Sequence, residues 1–82
     1  MSAQVELMVR QGCGSCVRVA KQIEPIVARF DAQLQIVDVD SDATGELAME
    51  FGDRVPVVVV DGEEIACWEI DDDELIDVLT EV

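Results

Sequence analysis

The 82-residue chain contains no histidine and no tyrosine, and only five of its residues are lysine or arginine. Without histidine there is no imidazole base and no mixed Cys/His zinc site, and a four-thiolate site would need a second chain. Three cysteines are an odd number and too few for a disulfide framework. No run approaches the roughly 18 consecutive apolar residues of a membrane span. Met1-Ser2-Ala3-Gln4 carries neither a basic region nor an apolar signal core. These absences lead us to expect a soluble, cytoplasmic, monomeric protein made of one domain over residues 1–82.

What is abundant is negative charge. Nineteen carboxylates face four arginines and one lysine, a net charge of −14, which argues against binding nucleic acid or an anionic membrane by charge. The excess is more than solubility requires. Together with the near absence of lysine it suggests a halophilic source, where high salt screens the repulsion and stability should rise with KCl. Half the residues are apolar, and fourteen of them are valine, favouring a sheet-containing α/β chain over a helical bundle.

The chemistry is concentrated in Cys13-Gly14-Ser15-Cys16. The apolar run Val5-Glu6-Leu7-Met8-Val9 before it reads as a buried strand over residues 4–9, and Val17 to Phe30 reads as a helix. At such a junction one thiol sits at the first exposed helical turn and the other one turn inward. Unpaired backbone N–H groups and the positive helix end favour a thiolate there. A thiolate with a partner thiol at that spacing can attack a disulfide and then be released by its neighbour. Gly12 lets the backbone turn just before Cys13.

In the helix, Cys16, Ala20, Ile23, Val27 and Phe30 form an apolar stripe, with Arg18, Lys21, Gln22 and Arg29 outside. Pro25 interrupts the pattern within one helix. Leu34 to Val39 is the second strand, parallel to the first through a right-handed crossover. Residues 43–51 make a short helix stopped by Gly52, and Val57 to Val60 is a central, fully buried strand. Asp61-Gly62 makes a two-residue hairpin into Glu63 to Trp68. The last helix opens with Asp71 as N-cap and Glu74 as its capping-box partner.

The order βαβ, helix, ββ hairpin, helix resembles the minimal thioredoxin fold in the form of the glutaredoxin-like proteins, over nearly the whole chain. Cys13–Cys16 at the first strand–helix junction, Val55-Pro56 before the third strand and the Asp-Gly hairpin carry the likeness. The resemblance implies a mixed four-stranded sheet in the order second, first, third, fourth, and a cis Pro56 beside the thiols. It implies a thiol–disulfide oxidoreductase with Cys13 as nucleophile and Cys16 as resolving thiol. Arg10 stands where glutaredoxins keep a basic residue for a glutathione carboxylate. Their Thr-Val-Pro is Arg54-Val55-Pro56 here, and their Gly-Gly is Ala66-Cys67, a change that crowds the glutathione position. The thioredoxin Trp before the first cysteine is absent, and Ser15 replaces the thioredoxin Pro.

Between Leu7 and Gln22 there is no carboxylate, yet Arg10, Arg18 and Lys21 lie there. Residues 38–82 hold sixteen carboxylates and one cation, Arg54. Arg10 and Arg54 are therefore expected near the thiols, favouring the Cys13 thiolate and attracting an anionic thiol. Arg18 and Lys21 serve equally well as a solvated helix face. Gly12, Gly14, Ser15, Val55 and Pro56 complete the expected substrate contacts. Cys67, on the same strand face as Ile65, and Trp68 are expected to pack. No resident cofactor is expected beyond the redox-active disulfide, with a low-molecular-weight thiol as co-substrate. Partners would be disulfide-containing proteins or such thiols, and a reductase. The alternatives are a metal or iron–sulfur module using Cys-x-x-Cys, and a docking domain without turnover.

Overall fold

The valine-rich stretches build the sheet. In the computed structural model, which describes residues 3–81, strands β1 (Gln4–Val9), β2 (Gln33–Asp38), β3 (Val57–Val60) and β4 (Glu63–Cys67) lie in the order β2-β1-β3-β4. β1 and β2 are parallel with Leu7 opposite Ile36, whereas β3 is antiparallel to β1 with Met8 opposite Val57. Helix α1 (Gly14–Arg29) crosses between the parallel strands, α2 (Glu46–Phe51) precedes β3, and α3 (Asp72–Glu81) follows β4. This is the mixed-sheet α/β thioredoxin-like architecture expected from the sequence. The readings of Met1, Ser2 and Val82 lie outside the described residues.

β3 is buried throughout because strands flank it and both its faces are covered. Val58 and Val60 join Val5, Leu7, Val19, Ile23 and Leu75 in the larger core, beneath α1 and α3. Val57 and Val59 join Met8, Val39 and Phe51 in a smaller one on the opposite face. The hairpin turns at Asp61 (φ 50°) and Gly62 (φ 86°), two left-handed residues whose twist suits the paired strands. Asp61 also fastens the hairpin to β1: its N–H donates to the Gln4 carbonyl at 2.8 Å, and its carboxylate accepts from the Gln4 N–H at 2.9 Å.

Several boundaries differ from the sequence reading, each for a local reason. α1 starts at Gly14 rather than Val17 because Cys13 caps it. It continues unbroken through Pro25, as expected of one helix. Its buried stripe is Cys16, Val19, Ile23, Ile26 and Val27, with Ala20 and Phe30 half-buried. Contact with α3 turns the stripe towards Val19 and Ile26, which share a core with Leu75 and Leu79. β2 ends at Asp38, one residue early, because the Asp38 carboxylate accepts from the Asp40 N–H at 2.9 Å and bends Val39–Ser41 into a 3-10 turn.

Residues 43–45 are likewise not helical. The Asp42 carboxylate takes the Thr44 N–H at 3.2 Å and the Leu47 N–H at 3.1 Å, so the loop closes under α2 before the helix begins. At α3, the Asp71 backbone carbonyl accepts from Glu74 and Leu75. Among the described residues the expected Asp71–Glu74 capping box is absent. Instead, Gln22 of α1 donates to the Ile70 carbonyl at 2.6 Å and to the Asp72 carboxylate at 2.8 Å.

A bulge corrects one further expectation. Ala66 opposes Val58 but Glu64 opposes Val59, leaving Ile65 as the extra residue. An inserted residue reverses the alternation beyond it. Ile65 therefore packs on the larger core and Cys67 on the smaller, and the two do not share a face.

Candidate functional site

The chain leaves β1 through Arg10-Gln11-Gly12 and enters α1 at Cys13. Gly12 has φ +79°, a left-handed conformation natural to glycine, and this reversal delivers Cys13 to the helix start. Cys13 is the N-cap, and its Sγ accepts a hydrogen bond from the Cys16 N–H at 3.1 Å. The two cysteines are disulfide-bonded, with Cα atoms 5.2 Å apart. Cys16 is 3% exposed whereas Cys13 is half-buried, so a reactant from outside meets the Cys13 sulfur first. Once the bond is reduced, the donated N–H and the positive end of α1 favour a thiolate at that sulfur. Gly14 and Ser15 are exposed in the first helical turn.

The two arginines expected beside the thiols are each met by a carboxylate. Arg10 donates through Nε and Nη2 to both oxygens of Asp40, at 2.9 and 3.0 Å, and through Nη1 to the Gly52 carbonyl at 3.3 Å. The hydrogen bond holds Asp40 below the usual carboxylate range and raises Arg10 above its own ordinary value. Gly52 leaves room for this strut, since a Cβ there would strike the Ala48 carbonyl and come within 3.2 Å of Arg10 Nη1. Arg54 pairs with Glu64 at 2.8 Å and lies 5.7 Å over the Phe51 ring. Arg18 and Lys21 are exposed on α1.

On the β3 side of the thiols stands the Val55–Pro56 peptide bond, which is cis, as the family likeness implied. The pairing of Met8 with Val57 sets Pro56 at the sheet end from which the Cys13 loop departs. The Pro56 carbonyl accepts from the Trp68 N–H at 2.8 Å. Trp68 is not the packing residue expected. It is 61% exposed, left-handed at φ +70°, and its indole N–H donates to the Asp53 carbonyl at 3.4 Å. Cys67, a free half-buried thiol, lies opposite Val57.

On the β2 side a cavity of about 400 Å³ opens between helix and sheet. Val9 and Ile36 line it from the sheet, Val17 and Ala20 from α1, and both cysteines border it. Of the residues singled out in the sequence, Arg10, Gly12 and Gly14 also border it, whereas Ser15, Arg54, Val55 and Pro56 do not. Val17 and Ile36, 57% and 51% exposed, were not among the sequence candidates. The available signals were an apolar residue directly after the motif and another in the uncharged strand run Gln33-Leu34-Gln35-Ile36-Val37.

Among the described residues no three potential metal ligands gather, so a metal or cluster on Cys13 and Cys16 would draw further ligands from a second chain. No helix among them is long and apolar enough to cross a membrane.

Comparison with known proteins agrees with the fold. Residues 4–80 match the model of the glutaredoxin-like domain (DUF836). An uncharacterized protein of Mycobacterium tuberculosis is 47% identical over 75 residues, covering 88% of this chain and 77% of that protein. A Nitrosomonas europaea protein solved by solution NMR superposes with TM-score 0.79 at 19% identity, covering 95% of this chain and 92% of the other. A mutant thioredoxin from Halobacterium salinarum superposes with TM-score 0.70 at 27% identity, covering 98% of this chain and 74% of the other. The sequence relatives are mycobacterial and lend a halophilic source no support.

Proposed function

This chain belongs to the glutaredoxin-like domain family, and from that premise we propose that it is a thiol–disulfide oxidoreductase working through Cys13 and Cys16. The observation that carries the reading is the pair itself: two sulfurs in bonding contact at the start of α1, one reachable and one buried, with the Cys16 N–H directed at Cys13 Sγ. In the reduced protein the Cys13 thiolate attacks a substrate disulfide, forming a mixed disulfide and releasing one substrate thiolate. Cys16 then loses its proton and attacks Cys13 Sγ, which closes the Cys13–Cys16 bond and releases the second substrate thiolate. Two electrons pass to the substrate, whose sulfurs take up two protons. A dithiol donor or a reductase returns the protein to the reduced form.

Each structural element has a part in this reading. Gly12 turns the chain so that Cys13 faces outward, and Gly14 and Ser15 complete the helical turn that brings the sulfurs together. Val55 and Pro56, at the sheet end from which the Cys13 loop departs, would border the path of an extended substrate. Proteins carrying disulfides, or low-molecular-weight disulfides, are the substrate classes, and a reducing compartment such as the cytoplasm suits a dithiol that must be regenerated.

A redox titration followed by intact mass tests the proposal. We expect a reversible two-electron couple in the wild type and none in Cys16→Ser. A midpoint near about −270 mV would place it with thioredoxin-like reductants, and one at roughly −200 to −230 mV with glutaredoxin-like ones. Absence of any reversible couple in the wild type would overturn the reading.

A further inference from the structure

The cavity on the β2 side gives the thiol site a means of choosing its substrate. We propose that it receives an apolar side chain next to the cysteine of a neutral or basic polypeptide disulfide, and that Val17 and Ile36 are the residues that select it. The inference rests on the oxidoreductase reading and adds the substrate class to it.

Three independent observations converge. First, the walls contributed by Val9, Val17, Ala20 and Ile36 are apolar, and the cavity reaches both cysteines. A side chain beside the sulfur bound to Cys13 can enter it without leaving the reacting atoms. Val17 and Ile36 stay more than half exposed until something covers them, and covering them on docking is favourable. Second, the one charged residue bordering the cavity, Arg10, has both Asp40 oxygens on its guanidinium and its third nitrogen on Gly52. It offers no free cation to a carboxylate-bearing thiol such as glutathione, and a chain of net charge −14 repels anions from a distance. Third, Ile36 lies on β2, one of the two edge strands of the sheet, and residues 33–37 carry no charge in a chain that is 29% charged. An edge with free backbone groups beside the cavity suits a polypeptide better than a small molecule. This pocket lies across β1 from Val55 and Pro56, so it engages a different side of the substrate from the one those residues would meet.

The test is single-turnover reduction by the reduced full chain, quenched by alkylation and read by intact mass. Two basic peptide disulfides of equal charge are compared that differ only in Leu or Asn after the cysteine, alongside oxidised glutathione and bis(2-hydroxyethyl) disulfide. We expect the Leu peptide to react on the order of tenfold faster than the Asn peptide or glutathione disulfide, the scale of one apolar side chain gained or lost in a pocket. Val17→Gln and Ile36→Gln should each bring the Leu-to-Asn ratio close to one. Met49→Gln, an 87% exposed position on α2, should keep the wild-type ratio, and circular dichroism confirms that each variant is folded. Equal wild-type rates on the two peptides, or a ratio that survives both glutamine variants, would overturn the inference while leaving the oxidoreductase reading intact. No reduction of any of the four disulfides would instead overturn the reading it rests on.

Discussion

The two faces of the sheet are stabilised in different ways. Among the described residues, the face beneath α1 and α3 buries a cluster of twelve apolar side chains, and the face towards α2 buries one of five. The larger side relies on burial alone for most of its length. The smaller side adds polar ties: Arg10 to Asp40 and the Gly52 carbonyl, Asp42 to the loop before α2, and Arg54 to Glu64. A six-residue helix covers too little apolar surface to hold the loops around it, so charged and backbone groups take over. The thiols stand where the two regimes meet. Cys16 is buried on α1, the helix that covers the thick side, whereas the loop that presents Cys13 starts at Arg10, the main strut of the thin side.

The largest effect should come from the thick core. Ile23→Ala removes a fully buried side chain of α1 and is expected to cost about 2–5 kcal/mol, read as a drop in denaturant midpoint with unchanged slope. A loss below about 1 kcal/mol would mean that this core collapses around cavities, and the contrast between the faces would fail. On the thin side, Gly52→Ala pushes a methyl against the Ala48 carbonyl and Arg10. It should cost about 1–3 kcal/mol, and a neutral outcome would show that α2 and its loop yield without consequence.

Acid should reveal the smallest difference. Leu47 and Thr44 hydrogen bonds hold the Asp42 carboxyl below its ordinary value, as Arg10 does for Asp40. A carboxylate with a depressed folded-state pKa contributes stability above its unfolded pKa of about 4, and loses it as pH falls through the folded value. Asp42→Ala should therefore be less stable than wild type at neutral pH, with the two melting curves converging as pH drops below about 4. A gap that persists unchanged into that range would show that the Asp42 contribution does not depend on its ionisation.

Strong local signals made most of the framework legible. Four consecutive valines have no place but the inside of a sheet, Asp61-Gly62 supports a tight hairpin, and a Cys-x-x-Cys after an apolar run announces a helix start. Errors arose where a single residue's partner lay far along the chain. Nothing in the local sequence announces the partners of Arg10, in a stretch without carboxylates, or of Arg54, the one cation of residues 38–82, yet Asp40 and Glu64 are brought to them by the β2 end and by β4. The Ile65 bulge is invisible in a strand-like sequence, and it moved Cys67 to the other face. Trp68 reads as core by composition, but the left-handed turn at the end of β4 leaves it outside.

By itself the sequence determined the order of elements, the central valine strand and the pair of cysteines at the α1 start, because apolar periodicity, turn chemistry and helix capping act over a few residues. The tertiary structure alone decided which charges are neutralised and that an apolar cavity opens beside the thiols between α1 and β2. Those properties depend on contacts between residues far apart in the chain, such as Arg10 with Asp40 and Val17 with Ile36 around one cavity. Only the folded sheet order brings such residues together.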